Sequence, residues 1–195
     1  MQPNQRIQLV GYNVDIFLSN IFIMNQPNFI FDFDGTLISI LKIDYEKMKQ
    51  DIKEILNTDK NIKPMFDKIQ ELSPNEETTK RCFELIDKYE LDALDHVKIN
   101  DDVLELYLKS KYKIILSRNG RNVINTFFEK FNLHKPDFIS CRDNCQSLKP
   151  NIAQIELITN KFHDLRRDNI TIVGDSWHDE QLSKNYGCMF LKVTT

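Results

Sequence analysis

Nine residues, Phe29-Ile30-Phe31-Asp32-Phe33-Asp34-Gly35-Thr36-Leu37, leave this chain little freedom in how it folds. An uninterrupted apolar run ends in two aspartates one residue apart, and Gly-Thr follows. Such a run reads as a strand buried on both faces, as in the centre of a parallel sheet. Gly35 permits the sharp turn after it. Asp32 and Asp34 then fall at the carboxyl end of a central strand, where open parallel sheets bind ligands.

The chemistry of the stretch follows from its charges. Two carboxylates this close repel each other, and a bound cation relieves the repulsion. A hard cation such as Mg²⁺ prefers oxygen ligands. A metal-held carboxylate beside an electrophilic phosphorus can attack it and form an aspartyl-phosphate. The second carboxylate can pass a proton to the leaving group and take one from water. Gly35 and the Thr36 hydroxyl can fix the loop. Asp-x-Asp alone is ordinary in turns; the buried strand before it and Gly-Thr after it favour a site.

The chain has 195 residues, enough for one good core or for a core with a small appendage. A charged fraction of 28% and a net charge of -3 place it among soluble globular proteins and do not suggest a nucleic-acid or anionic-membrane surface. Its 4 cysteines make no Cys-x-x-Cys pair and read as ordinary thiols of a reducing cytosol. Residues 1–27 are the least legible part. Their apolar runs are too short and too interrupted for a membrane span, and they lack the pattern of a signal peptide. They read as a flexible or loosely docked extension, or as residues ahead of a true start at Met24. A cytoplasmic location is the default expectation.

Beyond Leu37 the apolar period becomes helical. Helices are expected over residues 43–56, over 64–72, and from Pro74 to Tyr89 or further. For the last, Ser73 is the expected N-cap, with Glu76 closing a capping box. The region from Ile38 to Ile99 shows no strand signal and is longer than one crossover needs, so it reads as a small all-helical insertion. From Asn100 helices and strands alternate. Helices are expected over 101–109, 123–131, 150–162 and 178–185, and strands over 113–116, 138–140, 170–173 and 189–191. This is the pattern of an α/β, doubly wound parallel sheet. The expected division is an N-terminal extension (1–27), a core (28–37 and 100–195) and a helical insertion (38–99).

Parallel strands present their carboxyl ends along one edge, so polar residues at those ends meet. Asp32, Asp34 and Thr36 lie at the first end. Ser117 lies at the second, with Arg118 and Asn119 next. Asp175 lies at another, with Asp179 four residues on, and Lys149 precedes a helix. The set suits phosphoryl transfer: Asp32 and Asp175 for a metal, the Ser117 hydroxyl and a backbone N–H for phosphate oxygens, Lys149 for the developing charge. Trp177 and His178 read as packing or rim residues.

On these residues the chain resembles the haloacid dehalogenase-like hydrolase superfamily. The first motif is Asp32-Phe33-Asp34-Gly35-Thr36, the second Ile114-Ile115-Leu116-Ser117, the third Lys149 in a Lys-Pro pair common in the phosphoglycolate-phosphatase-like branch. The fourth is Gly174-Asp175-Ser176-Trp177-His178-Asp179. The resemblance covers about residues 28–195. It implies Asp32 as nucleophile and Mg²⁺ ligand, and Asp34 as acid/base that also lends its backbone carbonyl to the metal. It further implies Asp175 as metal ligand, Asp179 ordering the metal shell or binding Lys149, and residues 38–99 as a type-one cap. Thr36, Ser117, Arg118 and Asn119 are the expected phosphate or substrate contacts. Two departures stand out: Ser39 replaces an acidic residue common in relatives, and Ser117-Arg118-Asn119-Gly120 replaces the more usual Ser-Asn or Thr-Gly followed by lysine. Arg118 extends the phosphate grip, selects an anionic substrate, or points to solvent.

The expected function is hydrolysis of a small phosphorylated metabolite by a Mg²⁺-dependent phosphatase. A phosphomutase of the same fold and a catalytically silent binding or scaffold domain are the alternatives. Dehalogenation is disfavoured, because relatives that cleave carbon–halogen bonds generally lack the acid/base Asp that Asp34 supplies.

Overall fold

The computed structural model describes residues 7–9 and 27–194. The question of a start at Met24 lies outside the described residues. Two compact units are present, one of residues 1–40 and 97–195 and the other of residues 41–96.

The first unit is built on a six-stranded sheet. Its strands are β1 (Ile7–Leu9), β2 (Asn28–Phe31), β3 (Ile114–Leu116), β4 (Phe138–Ser140), β5 (Ile170–Gly174) and β6 (Met189–Val193), in the spatial order β1-β6-β5-β2-β3-β4. Strands β2 to β6 pair in parallel. β1 pairs antiparallel to β6, with Gln8 opposite Lys192. The extension expected over residues 1–27 thus contributes an edge strand. Three residues are too few to show an alternation that sequence could reveal.

β2 is central, flanked by β5 and β3; after it the chain builds β3 and β4 on one side and then crosses to build β5 and β6 on the other. That is the topological switch point of a doubly wound sheet. Its apolar run serves both faces. Ile30 packs with Ile114, Ile155, Ile158, Ile172 and Leu182. Phe31 points the other way, its ring 5.6 Å from Tyr107 on α4 (Asp101–Lys109). Tyr107 in turn meets Phe128 of α5 (Arg121–Lys130) at 5.5 Å, and Phe33 meets Phe127 at 5.2 Å, edge to face. Two more helices, α6 (Ala153–Lys161) and α7 (Trp177–Tyr186), complete the layers.

The second unit is helical: α1 (Tyr45–Leu56), α2 (Met65–Leu72) and α3 (Glu76–Ala93), with a 3₁₀ turn at Leu94–His96. Met48, Ile52, Ile62, Ile69, Cys82 and Ile86 form its own core. Asp44 caps α1 by accepting from the Lys47 N–H at 3.0 Å. The expected cap at Ser73 is displaced: Asn75 caps α3, accepting from the Thr78 N–H at 2.9 Å. Ser73 instead ends α2, its hydroxyl donating to the Ile69 carbonyl at 2.6 Å. Both are good N-cap types, and the closure of α2 engages Ser73 first.

Where the chain leaves and re-enters the first unit, two segments pair. Ile38 bridges Ile99, the Ser39 N–H donates to the Lys98 carbonyl at 2.8 Å, and the Ser39 hydroxyl accepts from the Lys98 N–H at 3.0 Å. Ser39 therefore serves to join these two segments.

Candidate active site

Asp32 directly follows β2, and its N–H donates to the Val173 carbonyl of β5 at 2.8 Å, which extends the ladder by one bond. Its side chain is 7% exposed. Its Oδ1 accepts from the Phe33 N–H at 2.7 Å and lies 2.6 Å from Lys149 Nζ. The same ammonium lies 2.6 Å from Asp179 Oδ1. Asp179 Oδ2 accepts from the Ser176 N–H at 3.2 Å and from the Ser176 hydroxyl, so the first turn of α7 holds Asp179 still. The pair Ser176-x-x-Asp179 is a capping-box spacing that was readable in the sequence.

Two glycines make room for this arrangement. Gly35 has φ of +82°, the left-handed region that glycine tolerates, and a Cβ there would stand 2.5 Å from Asp175 Oδ2. A Cβ on Gly174 would run into the Asp179 side chain. Thr36, fully buried, donates its hydroxyl to Asp175 Oδ1 at 3.1 Å. Ligand oxygens of Asp32, Asp175 and Asp179 come within 4.8 Å of one another. Asp34 is half-buried and its backbone bridges to Ile38; its carboxylate stands outside that set of three.

The second strand end forms its own small network. The Ser117 hydroxyl donates to Asn119 Oδ1 at 2.8 Å and accepts from the Asn119 N–H at 3.1 Å. Gln154 ties this network to Lys149. Fully buried in the first turn of α6, it accepts from the Lys149 N–H at 2.6 Å and donates to the carbonyls of Ser117 at 2.8 Å and Ser140 at 3.1 Å. The sequence reading missed Gln154. It falls beside the apolar positions Ile152, Ile155 and Ile158, and only the fold reveals what it joins. The expected helix over 150–162 begins at Ala153, which leaves a turn in which Lys149 is fixed by this glutamine.

Arg118 sends Nη1 to within 3.0 Å of His178 Nε2, and its carbonyl accepts from Arg142 Nη1 at 3.0 Å. Burial, with the positive charges of Arg118 and Lys149, pulls the His178 pKa down to about 4. The imidazole is then neutral, with Nε2 as acceptor.

Burial raises the Asp32 pKa well above the carboxylate range, Asp179 and Asp175 raise it further, and Lys149 offsets part of this. Asp175 is raised by burial and by Asp179. Burial lowers the Lys149 pKa, but Asp179 and Asp32 outweigh it and raise the pKa above its ordinary value. Three converging carboxylates thus face one ammonium. An added cation among their oxygens would favour the ionised forms of Asp32 and Asp175, and an all-oxygen set suits a hard divalent ion.

A family model described as haloacid dehalogenase-like hydrolase matches residues 29–193. No curated protein matches the chain. The fold is similar to that of a HAD-superfamily hydrolase from Ehrlichia chaffeensis, with 21% identity, a TM-score of 0.54, and coverage of 86% of this chain and 87% of that one. It is similar to a predicted phosphoglycolate phosphatase from Haemophilus somnus, with 19% identity, a TM-score of 0.59, and 86% and 85% coverage. A third likeness is to CbbY from Rhodobacter sphaeroides, solved in complex with phosphate, with 14% identity, a TM-score of 0.57 and 84% coverage of each chain. At these identities the likeness is one of fold.

Proposed function

The chain belongs to the haloacid dehalogenase-like hydrolase family, and from that premise we propose that it is a Mg²⁺-dependent phosphatase acting on small phosphomonoesters through an aspartyl-phosphate. The observation that carries this reading is the position of Lys149 Nζ, 2.6 Å from both Asp32 and Asp179, in a buried cluster with Asp175. A solvated surface lysine would have no such place.

In the proposed reaction an Asp32 carboxylate oxygen attacks phosphorus. The bond from phosphorus to the ester oxygen breaks, and that oxygen takes a proton from Asp34. Asp34, now ionised, takes a proton from a water molecule as the water oxygen attacks the phosphorus of the aspartyl-phosphate. The bond to Asp32 breaks, inorganic phosphate leaves, and both side chains return to their starting states. Lys149 offsets the negative charge on Asp32 and on the transferring group. Ser117 and the N–H groups after it are the proposed grip on phosphate oxygens. Asp32 and Asp175, with the Asp34 carbonyl, would hold Mg²⁺, which when bound neutralises phosphate charge and keeps the carboxylates ionised. The helical unit of residues 41–96 is assigned the role of the expected cap. The proposed substrates are small cytoplasmic metabolites, and no helix among the described residues is long and apolar enough to cross a membrane.

Asp32→Asn is the direct test. Hydrolysis of 4-nitrophenyl phosphate in Mg²⁺ should fall to background in this variant and to background in the unaltered chain with a chelator. Persistent Mg²⁺-dependent turnover by Asp32→Asn would remove the nucleophile assignment.

A further inference from the structure

One aromatic side chain beside two of the site carboxylates in sequence stands largely outside the core. Trp177 is 63% exposed, more than Ile40, Tyr45 or Leu108, the other exposed large apolar side chains among the described residues. It lies two residues from Asp175 and two from Asp179, at the start of α7. A tryptophan that served the core would bury most of its surface.

The indole is nevertheless not loose. It stacks on His178, with ring centroids 4.0 Å apart and planes 29° apart. His178 is itself fixed by the bond between its Nε2 and Arg118 Nη1. Arg118 comes from the loop after β3 and Trp177 from the first turn of α7, the helix that follows β5, so two strand ends that carry candidate site residues together fix one exposed ring. A pre-ordered aromatic face binds a flat partner with little further loss of conformational freedom. Arginine would add nothing of this kind if it only faced water, and it acts here as a positioning residue.

We infer that Trp177, held by His178 and Arg118, is a stacking platform for a flat aromatic group on the alcohol side of the phosphate ester. The inference deepens the phosphatase reading and rests on it for the position of the phosphate. The substrate class it selects is aromatic phosphomonoesters, whether the ring is a nucleobase or an aryl group joined directly to the ester oxygen.

The experiment compares adenosine 5′-monophosphate, phenyl phosphate and ribose 5-phosphate on the full chain with Mg²⁺. Trp177→Ala should raise KM for at least one aromatic ester by about 10-fold, the scale of one lost stacking contact. KM for ribose 5-phosphate and all kcat values should stay within about twofold, because the variant leaves the reacting groups untouched. Trp177→Phe should recover most of the loss. Which of the two aromatic esters responds tells a nucleobase from an aryl ring. Equal changes for all three esters, or none, overturn the inference. A second readout needs no turnover. Trp177 is the sole tryptophan of the chain, so its fluorescence in Asp32→Asn reports on this face alone. Adenosine 5′-monophosphate or phenyl phosphate should quench it at concentrations where ribose 5-phosphate does not; equal quenching by all three, or none, counts against stacking. Discriminating quench without hydrolysis of any ester by the unaltered chain would sink the phosphatase and leave the platform standing. Hydrolysis of all three with KM values indifferent to Trp177 would do the reverse.

Discussion

Lys149 Nζ sits between Asp32 and Asp179 with its side chain 3% exposed. An ammonium this deep keeps its charge only because two carboxylates share it, and each carboxylate in turn depends on the ammonium. Lys149→Ala would strand both acids in a dry environment. Breaking a buried pair from one side costs about 3–5 kcal/mol, so the variant should unfold at clearly lower urea than the unaltered chain. Added Mg²⁺ should recover part of that loss of stability while hydrolysis stays at background. Stability equal to that of the parent in the absence of Mg²⁺ would show that the three-group contact contributes nothing. This residue was legible in the sequence because a lysine before a helix and acids at strand ends have one meeting place in a doubly wound sheet. The role of Asp179 was not legible: its carboxylate binds Lys149 and also stands with Asp32 and Asp175 in the group of three. Nor was the pairing of Arg118 with His178, which lie 60 positions apart and form no motif together.

Elements carried their own signals unevenly. β2 and β5 read correctly because a strand buried on both faces is apolar at every position, and α1 because its apolar period is helical over twelve residues. β1 did not, being three residues long and dependent on β6 for its partner. The start of α6 was misplaced by three residues because Pro150 suits the first helical position as well as it suits a turn. That turn matters, since Gln154 in the first turn of α6 holds Lys149 and two strand-end carbonyls. Gln154→Leu would leave the Lys149 N–H without this partner in a buried place, which costs about 1–3 kcal/mol. A lower melting temperature and a weakened Lys149-dependent activity should appear together; a change in neither would mean water replaces the amide. In the helical unit, Tyr89 of α3 donates to Asp51 Oδ2 of α1 at 2.6 Å. That hydrogen bond, then burial and the Asp51 charge, raise the Tyr89 pKa from 10.0 to about 12. A raised pKa means the protonated phenol is favoured by folding, so its contribution is whole below pH 10 and is lost as pH climbs through 12. The stability difference between the parent and Tyr89→Phe, taken from chemical denaturation at each pH, should therefore shrink over that interval. A difference independent of pH would show that the phenol makes no such bond.

At the scale of the molecule, two of the apolar clusters among the described residues lie in different units. Ile158 belongs to the cluster around β2 and β5, and Ile86 to the cluster of the three helices α1 to α3. An insertion was expected from the change of period after Leu37, since a strand-free stretch of that length has too much chain for a single crossover; the compact helical unit spans residues 41–96. Which apolar residues join which core was less legible, because a helical stripe reports that a face is buried and not what buries it. The two clusters share no member, and that has a measurable consequence. Truncating a buried isoleucine to alanine costs about 2–5 kcal/mol wherever it lies, but the cost is felt by the residues that pack on it. Ile86→Ala should therefore speed amide hydrogen exchange through Tyr45–Leu56 and Glu76–Ala93 and leave Ile170–Gly174 slow. Ile158→Ala should do the opposite, opening the sheet first. Since the acidic cluster belongs to the unit that Ile158 supports, Ile158→Ala should also weaken Mg²⁺ binding measured by calorimetry, whereas Ile86→Ala should leave it near the parent value. Exchange that accelerates uniformly in both variants would mean that the two cores open as one, and that the helical insertion is an integral part of the same cooperative fold.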